Sequence, residues 1–175
     1  MFIHEMSDAE CRHVLQGEKV GRLACARNNQ PYVVPIYFAF DGNYIYGFTT
    51  VGQKVEWMRS NELVCFEMDQ IETDRDWVSI VVFGRYEELP DTPAYEGARI
   101  QAHRALQTHA MWWEPAYMSQ KNRDQPHSLM PVFYRIHIEK ITGHRATPEK
   151  EQATGAAVPV STVKRGWLSR LFQLN

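Results

Sequence analysis

Lys54 lies where a predicted strand gives way to a predicted helix, and such a junction can hold a phosphate. Tyr44 to Thr49 is a short β-rich run. Thr50-Val51-Gly52-Gln53 then fits a capping box with Thr50 as the N-cap, which predicts a helix over about 51–60. The first amides of a helix lack partners, and the helix dipole is positive there. A bound anion would compensate both the amides and Lys54, whereas the alternative is a solvated lysine on an ordinary capped helix.

A proline interrupts the strand before this junction. Pro35 lies in the middle of Tyr32-Val33-Val34-Pro35-Ile36-Tyr37-Phe38, and proline inside a strand removes a ladder donor. The pattern therefore indicates an edge strand, a bulge or a ligand contact. A planar aromatic ligand lying along this strand could use the neighbouring peptide groups for hydrogen bonds. A hairpin would place Pro35 beside Lys54, so a flat cofactor with a phosphate tail, such as FMN, would explain both features.

Six β-rich runs must position these residues. Short turns at Asn28-Asn29-Gln30 and Asp41-Gly42-Asn43 predict an antiparallel meander for the first three strands, after which the helix over 51–60 crosses to the fourth. Six antiparallel strands would close most naturally as a small barrel, which would also protect their edges. The predicted strands are Val20 to Arg27, Tyr32 to Phe40, Tyr44 to Thr49, Val64 to Gln70, Trp77 to Leu89 and Val132 to Ile141.

Two further helices and a tail complete the predicted organisation. The capping box Ser7-Asp8-Ala9-Glu10 predicts a helix from about Asp8 to Gln16, and a second helix is predicted from about Ala94 to Gln107. We therefore expect one domain over residues 1–145, with a helical insert at about 91–130, and an extended arm over 146–175. The apolar end of that arm, Gly166 to Phe172, is expected to dock on the domain or on a partner subunit.

Composition excludes several classes of protein. The 175 residues are 44% hydrophobic, which suits one globular domain. A formal net charge of −2 gives no general attraction to nucleic acid or to an anionic membrane surface. Cys11, Cys25 and Cys65 lack paired spacing, which predicts reduced thiols in a cytoplasmic protein. No export signal or membrane-spanning run is recognisable.

The histidines and the aromatic cluster leave some readings open. The seven histidines show no HxxxH motif and no cysteine partner, so we expect no metal site. One axial histidine would suffice for haem, and His103, His109 and His127 are the residues that could supply it. Met111-Trp112-Trp113 could form a lid over a ligand, or it could belong to the core or to a dimer interface.

Taken in order over residues 5–90, these segments resemble the pyridoxamine 5′-phosphate oxidase-like superfamily. Within it they are most similar to the flavin-binding proteins related to nitroimidazole-resistance factors. The residues that carry the resemblance are Gly21-Arg22-Leu23-Ala24, Pro31 to Tyr37, Asp41-Gly42 with Ile45-Tyr46, Gly52-Gln53-Lys54, Asn61 with Val64 to Asp69, and Trp77 to Arg85.

The resemblance implies a mainly β fold with flanking helices, a six-stranded antiparallel split β-barrel of the FMN-binding type. It also implies a homodimer with two flavin sites at the subunit interface, acting on a small molecule. Three groups of residues are expected to contact FMN. They are Val34, Pro35, Ile36 and Tyr37 along the ring, Thr49, Thr50, Gln53 and Lys54 at the phosphate, and Trp77, Ser79 and Val81 near the flavin of the same chain or of the partner chain.

The resemblance also bears on the reaction. A single lysine, Lys54, stands where oxidases of pyridoxamine phosphate carry an Arg-Lys pair, which indicates another substrate. Phe48 and Thr49 stand where nitroimidazole-resistance proteins commonly have a histidine. We therefore expect an FMN-dependent oxidoreductase of unassigned substrate. The alternatives are a flavin carrier or sensor without enzymatic activity and a haem-binding or haem-degrading protein.

Overall fold

A computed structural model describes residues 1–107 and 131–148. Its strands are β1 (Phe2–Met6), β2 (Val20–Arg27), β3 (Gln30–Tyr37), β4 (Ala39–Phe40), β5 (Tyr44–Thr50), β6 (Leu63–Thr73), β7 (Asp76–Glu88) and β8 (Pro131–Thr147). Its helices are α1 (Asp8–Gly17), α2 (Gln53–Ser60) and α3 (Glu96–Gln107), and a short 3₁₀ turn over Pro93–Tyr95 leads into α3.

All strand pairs are antiparallel and belong to one sheet. The strand order is β3-β2-β6-β7-β8-β5-β4. The long strand β8 pairs with β7 along one edge, and its other edge is shared by β5 and, further along, by β1. Hydrogen bonds do not close the sheet, because β3 and β4 stand at its two ends. The mainly β split-barrel fold with flanking helices is confirmed, but the full closure expected of the strands is not observed in the described residues.

The number and the pairing of the strands differ from the prediction. The described residues form eight strands rather than six, because β1 was not predicted and the run from Tyr32 to Phe40 is divided between β3 and β4. The predicted meander holds only in part: β2 pairs with β3 and β5 pairs with the short β4, but β3 itself does not pair with β5. At the division, the Phe38 side chain is fully buried and the Phe38 amide donates to the Lys19 carbonyl at 2.9 Å.

Local sequence signals account for the elements that were predicted well. Ser7 caps α1 by accepting from the Glu10 amide, and the Glu10 carboxylate accepts from the Ser7 amide, as in a complete capping box. The β2–β3 turn places Asn28 and Asn29 at positive φ, the conformation that a two-residue hairpin requires. The strand β2 and the helices α1 and α3 lie close to their predicted bounds.

Two apolar clusters hold the domain together. The larger one fills the inside of the sheet with alternate residues of β2, β6 and β7, such as Leu23, Phe66 and Ile80, and α1 packs against it through Leu15. The smaller one lies between α3 and the opposite side of β4 and β5, where Tyr46 is fully buried. Among the described residues, no helix is both long and apolar enough to cross a membrane.

One face of the sheet is not covered by any other described element. The alternate residues of β2, β3, β6 and β7 that point away from the main core form what we call the outer face. Several of them are large, apolar and exposed. These are Val20, Val33, Tyr37, Leu63, Ile71 and Phe83. Exposed apolar patches of this kind are uncommon on monomers and mark interaction surfaces.

Candidate functional site

The junction between β5 and α2 brings four of the predicted site residues together. Thr49 and Thr50 end β5, and Gln53 and Lys54 begin α2. The predicted N-cap was wrong: Gly52 occupies that position, and no side chain caps the helix. Thr50 cannot cap α2 because it still belongs to the strand ladder, where it lies opposite Pro131. The helix therefore begins two residues later than the local pattern indicated.

The start of α2 is open to a ligand. The first hydrogen bond of the helix joins the Glu56 amide to the Gly52 carbonyl at 3.0 Å, so the amides of Gln53, Lys54 and Val55 have no partner within the helix. An added Cβ on Gly52 would meet no heavy atom within 4 Å. The N-terminus thus combines unpaired donors with free space, the arrangement that favours an anion.

Lys54 is a partly buried cation at this open end. Burial lowers the pKa of its ammonium below the ordinary value, while the nearby Cys25 thiol acts in the opposite direction. Over residues 1–107 and 131–148, none of the observed ion pairs of an acidic group involves Lys54. A desolvated charge without a counter-charge is unfavourable. A bound anion would reverse that penalty and raise the pKa of Lys54.

Contacts to the β2–β3 hairpin fix α2 and hence Lys54. The Trp57 ring lies 5.6 Å from the Tyr32 ring, centroid to centroid. At the other end of the helix, the Asn61 side-chain amide donates to the Ala26 carbonyl at 3.0 Å, and the Asn61 side-chain oxygen accepts from the Leu63 amide. The contacts of Trp57 and Asn61 therefore fix the position of α2, and with it the position of the helix start.

The strand β3 provides a free backbone edge, as the position of Pro35 indicated. It is the end strand of the sheet and pairs with β2 on one side only. Proline cannot donate to a ladder, so the backbone groups of Pro35 point away from β2. The backbone groups of Val33, two residues earlier, have the same orientation. The Val33 amide and the carbonyls of Val33 and Pro35 consequently point to the free edge.

The side chains of the predicted ring-contact residues divide between two faces. Ile36 is only 7% exposed and belongs to the main core. Val34 is partly buried and packs against the same core. Pro35 and Tyr37 lie on the outer face. Sequence reasoning did not single out Val33, whose side chain is 61% exposed. A two-residue period counted from Pro35 would have identified it.

The third predicted group lies elsewhere in the chain. Trp77, Ser79 and Val81 are on the outer face of β7, which is three strands away from β3. At about 4.8 Å per strand this separation is roughly 14 Å. The paired residues show the same separation. Pro35 lies opposite Arg22, Arg22 lies opposite Glu67, and Glu67 lies opposite Val81. A single chain therefore does not bring β7 to the β3 edge.

The histidines and cysteines add no metal site to the described part of the chain. No group of three His, Cys, Asp or Glu side chains within residues 1–107 and 131–148 could hold a metal ion. All three cysteines are free, as predicted, and burial raises the pKa of the Cys25 thiol. His103 lies on α3, with its ring 6.3 Å from the Phe133 ring. His109, His127 and the Met111-Trp112-Trp113 cluster lie outside the described residues.

Comparison with known proteins places these features in context. The sequence profile of the family described as pyridoxamine 5′-phosphate oxidase matches residues 7–145. An uncharacterised protein of Rhizobium meliloti is 38% identical over 146 residues, which cover 83% of this chain and 97% of that protein. The crystal structure of a FAD-binding protein from Mesorhizobium loti is similar with a TM-score of 0.69 and 40% identity, covering 85% of this chain and 99% of that one.

A more distant structure shares the fold alone. It is a candidate 5-nitroimidazole antibiotic resistance protein from Bacteroides thetaiotaomicron, with a TM-score of 0.57 and 16% identity, and the match covers 83% of this chain and 89% of that one. The family match and the two similar proteins at 38% and 40% identity confirm the superfamily that the motifs resembled.

Proposed function

Because this chain belongs to the pyridoxamine 5′-phosphate oxidase family, we propose that it binds a flavin nucleotide and works as a flavin-dependent oxidoreductase. The observation that carries the proposal is Lys54, a partly buried cation at an open helix start that has no carboxylate partner in the described ranges. A phosphate supplies the charge that this site lacks. The similar Mesorhizobium loti protein, described as FAD-binding, supports the same choice.

The phosphate would be held by the junction between β5 and α2. The amides at the start of α2 and the Lys54 ammonium would contact its oxygens, and the hydroxyls of Thr49 and Thr50 would complete the set of donors. At present Thr49 donates only a long bond, 3.4 Å, to the Thr50 carbonyl, so its hydroxyl is available. Gln53, at the first position of the helix, adds an exposed side-chain amide.

The ring system would lie along the free edge of β3. The pyrimidine part of a flavin has one N–H donor flanked by carbonyl acceptors. At the edge of β3 the Val33 amide would donate to one of these carbonyls, and the Val33 carbonyl would accept from the flavin N–H. The bound flavin would supply hydride or electron transfer. The chain's own contribution is placement, since backbone groups orient the ring and Lys54 neutralises the phosphate.

The identity of the nucleotide is a separate part of the proposal. FMN and FAD share the riboflavin phosphate that the junction would recognise, and the sequence analysis predicted FMN. We infer that FMN suffices for binding because every contact named above goes to that shared portion. Denaturing the purified protein and identifying the released flavin by mass distinguishes FMN from FAD.

We further infer that the protein is a homodimer through its outer face. The exposed apolar residues there, among them Val33, Leu63 and Phe83, are the surface that a second copy would bury. A partner chain could also bring its own Trp77 and Ser79 toward the β3 edge, which lies roughly 14 Å from these residues within one chain. Sedimentation equilibrium measures the mass, and Phe83→Glu is expected to yield monomers.

The first experiment compares flavin affinity in two lysine variants. Lys54→Ala removes the proposed phosphate contact, whereas Lys19→Ala removes an exposed lysine remote from it. Charge-assisted hydrogen bonds contribute about 1.5–3 kcal/mol, so Lys54→Ala is expected to weaken FMN binding roughly tenfold or more. Equal affinities in both variants would contradict the proposed site.

Activity requires its own measurement, because a flavin carrier or sensor would bind equally well. The holoprotein is mixed with NADH or NADPH under anaerobic conditions, and the loss of the oxidised flavin absorbance is followed. Reoxidation is then measured with a panel of small-molecule acceptors. Reduction and reoxidation over many turnovers support an oxidoreductase, whereas a flavin that neither donor reduces would indicate a carrier.

A further inference from the structure

An open cleft lies at the end of the β6–β7 hairpin. Its volume is about 570 Å³, and its lining combines apolar and charged side chains: Arg22, Glu67, Asp69, Ile71, Trp77, Val78 and Ser79. Ile71 is 70% exposed, an unusual value for so large an apolar residue. We call this surface the hairpin cleft. Its apolar wall and carboxylate rim suit an occupant that is apolar and basic.

The hairpin that forms the cleft is strongly acidic. Between Glu67 and Asp76 the sequence has five acidic residues and one arginine. Arg22 forms ion pairs with both Glu67 and Asp69, at 3.2 Å to Glu67, but one guanidinium cannot balance two carboxylates. The cleft therefore keeps a net negative charge, which would attract a cationic segment.

The chain itself contains such a segment. Residues 164–175 contain three basic residues, Lys164, Arg165 and Arg170, and no acidic residue. The same stretch has five large apolar residues, which are Trp167, Leu168, Leu171, Phe172 and Leu174. We call residues 164–172 the basic apolar segment. The family match ends at residue 145, so this segment lies beyond the part shared with the family.

The described chain ends beside the cleft. On β8, Ala146 lies directly opposite Trp77, and Pro148 is the last described residue. Opposite residues of neighbouring strands are roughly 5 Å apart at Cβ, so the tail leaves the sheet next to the cleft wall. The 15 residues from 149 to 163 can span at most roughly 50 Å, which is long enough to reach back to the cleft.

We propose that the basic apolar segment binds the hairpin cleft of its own chain. Trp167 and Leu168 pack against Ile71 and Trp77, while the basic residues pair with the acidic rim. Tethering raises the local concentration of the segment to about the millimolar range, so even weak contacts suffice. The support for this interaction comes from the cleft, the charge of the hairpin and the point where the described chain ends, and none of it requires a bound flavin.

The test is a zero-length cross-link in the full-length protein. A carbodiimide joins a lysine amine to a carboxylate only when the two are in contact, and mass spectrometry identifies the linked peptides. We expect a link from Lys164 to Glu67, Asp69 or Glu72. Leu168→Asp with Leu171→Asp should lower its yield at least fivefold, whereas the control Ala156→Asp with Ala157→Asp adds the same charge outside the segment and should keep it.

Isotope labelling identifies which chain the segment binds. Unlabelled and ¹⁵N-labelled protein are mixed and allowed to exchange before the reaction. Links within one chain give only light–light and heavy–heavy peptides, as we expect, whereas mixed peptides would overturn the proposal by placing the segment on another copy. The absence of any link to residues 67–76, together with Leu168-dependent sedimentation on phosphatidylserine vesicles, would overturn it in favour of a lipid surface.

Discussion

Replacing Lys54 with methionine should stabilise the empty protein and destabilise the flavin-bound one. Methionine keeps the length of the side chain but removes a partly buried, uncompensated charge, whose pKa burial already lowers. Removing the desolvation penalty is expected to stabilise the ligand-free protein by about 1 kcal/mol. For a chain of this size that corresponds to a melting temperature roughly 2–4 °C higher.

The ranking should reverse when flavin is added. At a flavin concentration of about 100 Kd the native protein gains about 2.7 kcal/mol. Losing a charge-assisted contact of about 2 kcal/mol weakens binding roughly 30-fold, which leaves Lys54→Met a gain of about 0.9 kcal/mol at the same concentration. The variant, ahead by about 1 kcal/mol without ligand, should then be less stable than the native protein by a similar amount.

The dependence on pH has a definite sign. A lysine whose folded-state pKa is lowered binds fewer protons when folded than when unfolded, between that pKa and its ordinary value of 10.5. The ligand-free native protein should therefore gain stability relative to Lys54→Met as the pH rises through this window. Differential scanning fluorimetry at several pH values, with and without FMN, measures both effects, and Lys19→Met serves as the exposed control. The reasoning would be refuted if ligand-free Lys54→Met were less stable than the ligand-free native protein. It would also be refuted if flavin raised the melting temperature of both proteins equally.

Three further substitutions test individual contacts. Gly47→Ala places a Cβ against the buried Tyr134 ring and should lower the free energy of unfolding in guanidinium by about 1–3 kcal/mol. Val33→Pro removes the amide at the free edge of β3 and should weaken FMN binding with the fold retained, whereas Val34→Pro loses a bond to β2 and should unfold the protein. Ser7→Ala removes the cap of α1 and should cost about 1 kcal/mol.

Each of these substitutions has a matched comparison. Gly97→Ala adds the same methyl group where no heavy atom lies within 4 Å, so it should not destabilise the protein. Equal free energies of unfolding for Gly47→Ala and Gly97→Ala would mean that Tyr134 can move aside. Unchanged FMN affinity in Val33→Pro would remove the β3 edge from the proposed site. Ser7→Thr should keep the cap, so a loss as large as that of Ser7→Ala would not arise from capping.

Two capping boxes show where sequence reasoning succeeds and where it fails. Ser7 and Glu10 form the predicted box, and Ser7 lies outside the strand ladder because β1 ends at Met6. Thr50 has the same pattern, yet it pairs with Pro131, a residue far along the chain. A pattern of four neighbouring residues contains no information about a strand partner so far along the chain. The missing prediction of β1 has the same cause, since Phe2–Met6 extends only by pairing with the end of β8.

The candidate site was predictable to the extent that it depends on backbone rules. Pro35 predicted an edge strand because proline cannot donate, and β3 is an end strand. Lys54 at a helix start indicated an anion, and the structure adds that the cation is partly buried. The relation of Trp77 to the β3 edge was not predictable, since it depends on how many strands lie between them.

The flavin and tail proposals meet at the outer face, where they can be tested against each other. Trp77 and Ser79 line the hairpin cleft and also belong to the group predicted to face a flavin. A partner's flavin and the basic apolar segment cannot both contact Trp77. Adding FMN to the ligand-free dimer is therefore expected to lower the yield of the Lys164 cross-link. An unchanged yield with FMN bound would place the cofactor away from β7, and Lys54 with the β3 edge would then form the whole site in one chain.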